Sequence, residues 1–198
     1  MREALALVST LLAVVATIIR IQRIRRRDTH PAIATWTMFE IAIVLSLWSY
    51  SSLGQNGIVS NIVNFADAFL VVAILGAIVI TPDPDKYKME KMDASCFFAL
   101  GLVLVFWLAR RDALATNLAT QAIMTIAYLP TLFKMRRMGK NTEPFLPWVM
   151  IWLSGLAGLA IATADRNPMA MTYAGRSTIM TTMLLVVMVR IEKKSQEK

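Results

Sequence analysis

One cysteine, Cys96, and one histidine, His30, occur in 198 residues. A lone cysteine excludes an internal disulfide, a Cys-x-x-Cys redox pair and a thiolate cluster. A lone histidine excludes metal sites built from several imidazoles. No Gly-rich phosphate loop and no Ser/His/Asp set can be assembled from what remains. The chain therefore reads as a non-enzyme without cofactor or metal. Charge is also scarce, at 17% of residues against 57% hydrophobic, and it leans to one sign, with 21 basic and 13 acidic side chains. A soluble domain of this length cannot enclose so much apolar surface. The basic residues stand in short clusters between apolar runs rather than in one water-facing patch, which argues against a nucleic-acid partner.

Membrane-length apolar sequence is what the chain does contain. Runs bounded by charge or turn residues lie near Ala4–Ile21, Pro31–Ser52, Ile58–Ile80, Ala94–Ala109, Ala113–Phe133, Pro144–Ala164 and Pro168–Ile191. A helix of about 20 residues crosses a hydrocarbon core of about 30 Å. The expected fold is all-α and integral to the membrane, with seven transmembrane helices and no room for a second, soluble domain. The first run has no basic leader and no small-residue cleavage site after it, so it reads as a retained span. Arg20, Arg23, Arg25, Arg26 and Arg27 follow it, and with the lysines and arginines at 86–91, 134–140 and 190–198 they bring sixteen basic residues to one side. Arg2, Arg110, Arg111 and Arg166 are the four on the other. Basic loops stay in the cytoplasm, so the N-terminus is expected outside and the C-terminus inside.

Two stretches of the chain share an order of features. In Ala16–Trp36 and again in Pro130–Trp148, a helix ends in basic residues and a short polar loop follows. Thr-x-Pro then opens the next helix (Thr29/Pro31 and Thr142/Pro144), which carries a tryptophan in its first two turns (Trp36 and Trp148). Proline suits a first turn because its missing N–H would have no intrahelical partner there. The chain divides into a three-helix repeat (3–81), a linker helix (93–110) and a second three-helix repeat (112–192). A three-span unit ends on the side opposite its start, so one linking span makes the two repeats parallel and puts both basic loops on the same side.

This 3+1+3 plan resembles the SWEET and PQ-loop (MtN3-like) transporter group. Tyr128-Leu129-Pro130-Thr131, then Lys134, Asn141-Thr142-Glu143-Pro144 and Pro147-Trp148 are similar to the PQ-loop pattern, best over about 120–165. The glutamine of the Pro-Gln pair is Thr131 here, and Ala16-Thr17 stand where both would fall in the first repeat. The resemblance implies transport by alternating access, Pro130 and Pro147 as hinges of an inner gate, and substrate-binding asparagines on a third helix, namely Asn61 or Asn64.

Three ionisable residues fall at membrane depth: Glu40, Asp67 and Arg176. Each costs about 2.5–3.5 kcal/mol on insertion scales, so such groups face a bundle interior or a wet cavity. Asp67 and Arg176 sit on the third helices of the two repeats, where pairing would relieve both. Such a pair either locks the helices or serves substrate and proton. Glu40 either faces a lipid-shielded site in its protonated form or lines the cavity, and with Asp67 it is a candidate for proton coupling. Asn61, Asn64 and Asp67 form one polar stripe at i, i+3 and i+6, and Tyr173 and Arg176 are the counterpart on the seventh helix. Trp36, Trp148 and Trp152 are candidates to line the cavity, while Trp48 and Trp107 read as interfacial. The reading is a transporter of a small polar solute, sugar-like or amino-acid-like, with the lipid bilayer as its other partner and a homo-oligomer allowed but not required. The alternative is a heptahelical ligand receptor or membrane interaction protein.

Overall fold

The computed structural model describes residues 2–29, 31, 33–52, 54, 57–83, 91–110, 112–128, 131–132, 135–136, 139, 141 and 143–196. Among them the chain is all-α, with helices Arg2–Arg25 (α1), Ile33–Ser52 (α2), Ile62–Ile80 (α3), Lys91–Arg110 (α4), Ala113–Ile126 (α5), Phe145–Ala164 (α6) and Pro168–Gln196 (α7). These follow the seven apolar runs of the sequence. Four of them, α1, α3, α6 and α7, are long and apolar enough to cross a membrane. Leu7, Leu11, Phe69, Ile80, Phe98 and Val105 stand exposed on the outer faces, consistent with an integral membrane protein.

The fifth run is the one that departs. A helix to Phe133 was expected, but α5 stops at Ile126, and Ala127 and Tyr128 form a turn whose N–H groups bond back to Ile123 and Thr125. The sequence carries a proline at 130, whose missing N–H is a signal for a helix to end before it. Thr131–Leu132 and Met135–Arg136 are again helical.

Packing follows where small residues lie. The buried face of α1 reads Ala6, Ser9, Ala13, Ala16, Thr17, Arg20 and Ile24, a stripe at the three-to-four spacing of one helix side. Such residues let helix backbones approach closely in a membrane, and α1 lies along α6 and α3. Ser9 donates to the Ser154 carbonyl at 3.1 Å, and the two hydroxyls are 2.9 Å apart. Helix α2 packs on α3 and α5, α7 on α6 and more lightly on α5, and α3 meets α7; α4 rests on α5 and α2. Gly155 and Gly158 are buried in α6 against Thr178 of α7 and Val63 of α3, so these glycines serve packing within the chain.

Side-chain contacts tie off one end of the bundle. At the end holding 57–61 and 165–167, Arg2 pairs with Asp165 at 2.8 Å, Ser60 also donates to Asp165, and Asn167 donates to the Tyr50 hydroxyl at 2.8 Å. Helices α1 and α6 end alike, with Arg27 (φ 60°) and Arg166 (φ 51°) in the left-handed conformation just past the helix. The following N–H groups, of Asp28 and Asn167, return to the carbonyls of Arg23 and Ala162, which satisfies carbonyls the helix leaves free.

Candidate functional site

A polar network joins α2, α3 and α5 towards the end of the bundle where α3 and α5 begin. Ser46 and Ser49 lie on one side of α2, Asn64 on α3, and Asn117 and Gln121 on α5, all buried. Helical spacing of three or four puts each pair on one face. Their amides converge on a single oxygen: Ser46 Oγ lies 3.0 Å from Asn64 Nδ2, 3.2 Å from Asn117 Nδ2 and 3.0 Å from Gln121 Nε2. Asn117 Nδ2 also donates to Ser49 Oγ at 3.0 Å and to the Ser46 carbonyl at 3.1 Å. A hydroxyl oxygen has two lone pairs and one hydrogen, so three amide donors oversubscribe it. Asn64 Oδ1, meanwhile, is buried without a partner. Turning the Asn64 amide lets Ser46 donate to Oδ1 and completes the serine, at the cost of leaving the Asn64 NH2 unpaired.

Gln121 joins this neutral network to the charged residues. Its Oε1 accepts from Arg176 Nε at 2.7 Å. The Arg176 guanidinium carbon lies 4.9 Å from the centre of the Tyr173 ring. Tyr173 donates to Asp67 Oδ2 at 2.9 Å. Asp67 and Arg176 therefore belong to one cluster, but they form no direct ion pair. Tyr173, one turn before Arg176 on α7, takes the aspartate, and Gln121 of α5 takes the arginine.

The other expected residues are placed as follows. Asn61 is buried at the N-cap of α3 and makes no capping bond. Glu40 Oε2 is buried without a hydrogen-bond partner. Trp152 donates to Thr182 at 2.8 Å on the α6–α7 contact, apart from the tryptophan pair described next. Trp107, expected at the interface, is buried, and its ring centre is 4.5 Å from that of the exposed Trp48. Pro147 is buried in the first turn of α6, three residues after the cap Pro144. No intrahelical bond is lost there, so Pro147 starts the helix rather than weakening it. Pro130 lies outside the described residues.

A second cluster sits at the opposite end of the bundle, around a residue that the sequence reading had grouped with the loop arginines. Arg20 is inside α1 and 7% exposed, whereas Arg23, Arg25, Arg26 and Arg27 are exposed. Its guanidinium carbon lies 4.0 Å from the Trp148 ring centre and 5.4 Å from that of Trp36. Phe39 and Tyr128 continue the ring contacts, Trp36–Phe39 at 6.2 Å, Phe39–Tyr128 at 5.7 Å and Tyr128–Trp148 at 6.0 Å. Trp148 Nε1 donates to Glu143 Oε2 at 3.1 Å. The two tryptophans that the repeat matched in sequence thus meet over one cation. The available signal was phase, since Arg20 continues the stripe of Ala13, Ala16 and Ile24. No family model, curated protein or solved structure matches the chain.

Proposed function

We propose that the protein is a transporter of a small polar solute, built as two parallel three-helix units joined by α4 and working by alternating access, in the manner of the SWEET and PQ-loop group. One observation carries the reading: apart from a light contact of α3 on α6, the pattern of helix neighbours within and between the two halves is its own image when the halves are exchanged. In the first unit α3 touches both α1 and α2; in the second α7 touches both α5 and α6. Across the units α1 meets α6, as α5 meets α2, and α3 meets α7. Exchanging α1, α2 and α3 with α5, α6 and α7 leaves this pattern of partners unchanged, and α4 is outside it. Repeat-built transporters bind their solute at such an interface near the bilayer midplane and rock one unit against the other.

Asp67 and Tyr173, on the two central helices, and Arg176 with the amides of Asn64, Asn117 and Gln121, lie where that solute would bind. The basic loops put the C-terminus in the cytoplasm and the N-terminus outside. The test is uptake and counterflow of labelled sugars and amino acids into proteoliposomes. Saturable exchange that Asp67→Asn and Tyr173→Phe both depress, with the proteins still folded, is the expected result. A ligand that binds from one side only, with no exchange of any solute, would instead make the protein a receptor.

A further inference from the structure

Arg20 spends nothing on hydrogen bonds along one edge. Its Nε and Nη2 are both buried, and neither has a partner. These two nitrogens carry the N–H groups that point the same way from the guanidinium plane, the fork that receives both oxygens of a carboxylate. A buried charged donor left unpaired is among the most expensive features a fold can keep. Glu143 is close enough to act on Arg20 electrostatically, yet its Oε2 accepts from the Trp148 indole N–H, and it does not bond Nε or Nη2. Arg176 differs: its Nε already donates to Gln121, so that edge is in use.

From this we infer that the Nε/Nη2 edge of Arg20 is a binding site for a small organic carboxylate. The indole rings of Trp36 and Trp148 hold the guanidinium face-on and the fork is shut away from water, so a carboxylate that reaches it meets a desolvated cation in fixed orientation. A monoanion suits the site better than a dianion, because Glu143 already supplies one negative charge nearby. The rings come from α2 and α6, one from each proposed unit, so the ligand must enter when this end of the bundle opens. The inference goes beyond the transport reading, since this site lies at the other end of the bundle from the proposed solute site, and the binding it describes does not require transport.

The test uses the full chain purified in detergent, with propanoate and benzoate as probes, propanamide and benzamide as their neutral counterparts, and phosphate and chloride as controls. Affinity is read by calorimetry and by thermal stabilisation, which a ligand of the folded state produces. The expected result is saturable binding of the carboxylates, absent for the amides. Arg20→Lys keeps the charge but not the fork and should weaken binding by about tenfold or more, while Glu143→Gln should leave it intact or tighten it. Equal stabilisation by chloride and phosphate would overturn the carboxylate assignment. So would binding that survives Arg20→Lys unchanged, or destabilisation of Glu143→Gln without carboxylate binding by the wild type, which would make Glu143 the fork's own partner. Uptake measured in parallel separates the two readings. Exchange of neutral solutes without carboxylate binding overturns this site and spares the transporter, whereas carboxylate binding with no exchange of any solute does the reverse.

Discussion

Replacing Gly158 with alanine would put a methyl group where Val63 Cγ2 already sits. Val63 lies on the buried face of α3 and Gly158 on that of α6, so the overlap falls on the contact between the two proposed units. The Ala174 Cβ of α7 stands 4.0 Å from the new methyl, which leaves it little room to move. Val63 cannot swing aside easily either, because a β-branched residue in a helix has one strongly favoured rotamer. Overpacking of this kind costs about 1–3 kcal/mol, and with a fixed neighbour the upper half of that range applies. At 2–4 °C per kcal/mol for a chain of this size, the melting midpoint should fall by roughly 4–12 °C. Thermal unfolding in detergent, followed by tryptophan fluorescence, measures it. Gly76→Ala and Gly101→Ala are the controls, since a methyl at either meets nothing within 4 Å. Val63→Ala removes the clashing group, so the double variant should recover at least about 1 kcal/mol relative to additivity. A Gly158→Ala protein as stable as the wild type, or strict additivity in the double variant, would refute the contact.

Three further outcomes are expected. Ser46→Ala withdraws the oxygen on which three buried amides converge and should cost about 1–3 kcal/mol, more than Ser49→Ala; chemical denaturation of the two variants compares them. Arg166→Gly keeps the left-handed conformation but removes its cost to a residue with a Cβ, about 1–2 kcal/mol, so the midpoint should rise, with a fall counting against strain at that turn. Asp165→Asn breaks the Arg2 ion pair, whose arginine is half exposed, and should cost less than about 1 kcal/mol; the loss should shrink as salt is added.

The spans were legible because lipid thickness sets their length and their apolar character is nearly continuous, and six of the seven helices follow the runs closely. The end of α5 was marked by Pro130 but was read through, since apolar residues continue on both sides of it. At the site, Asp67 and Arg176 announce themselves by their cost in a membrane. What holds them does not, because Tyr173 and Gln121 are ordinary in sequence and gain their part only when α3, α5 and α7 are brought side by side. Arg20 was obscured by its company. Four exposed arginines follow within seven residues, and α1 runs on past its apolar segment to Arg25, which carries Arg20 into the bundle.

In the proposed transporter, the Ser46 hydroxyl bears on which solute groups its network could tell apart. Asn117 is committed to Ser49 and the Ser46 carbonyl, and Gln121 to Arg176, so Asn64 is the amide free to turn. Whichever way it faces, one end meets Ser46 and the other is left over: an oxygen in one orientation, an NH2 in the other. A visiting hydroxyl, able to give or take a proton, completes the set in both. Ethers and ammonium groups can each answer only one of them. In the proposed transporter, half a turn about a single side-chain bond would therefore make this network indifferent to polarity, favouring groups that can play both parts over one fixed pattern of donors and acceptors.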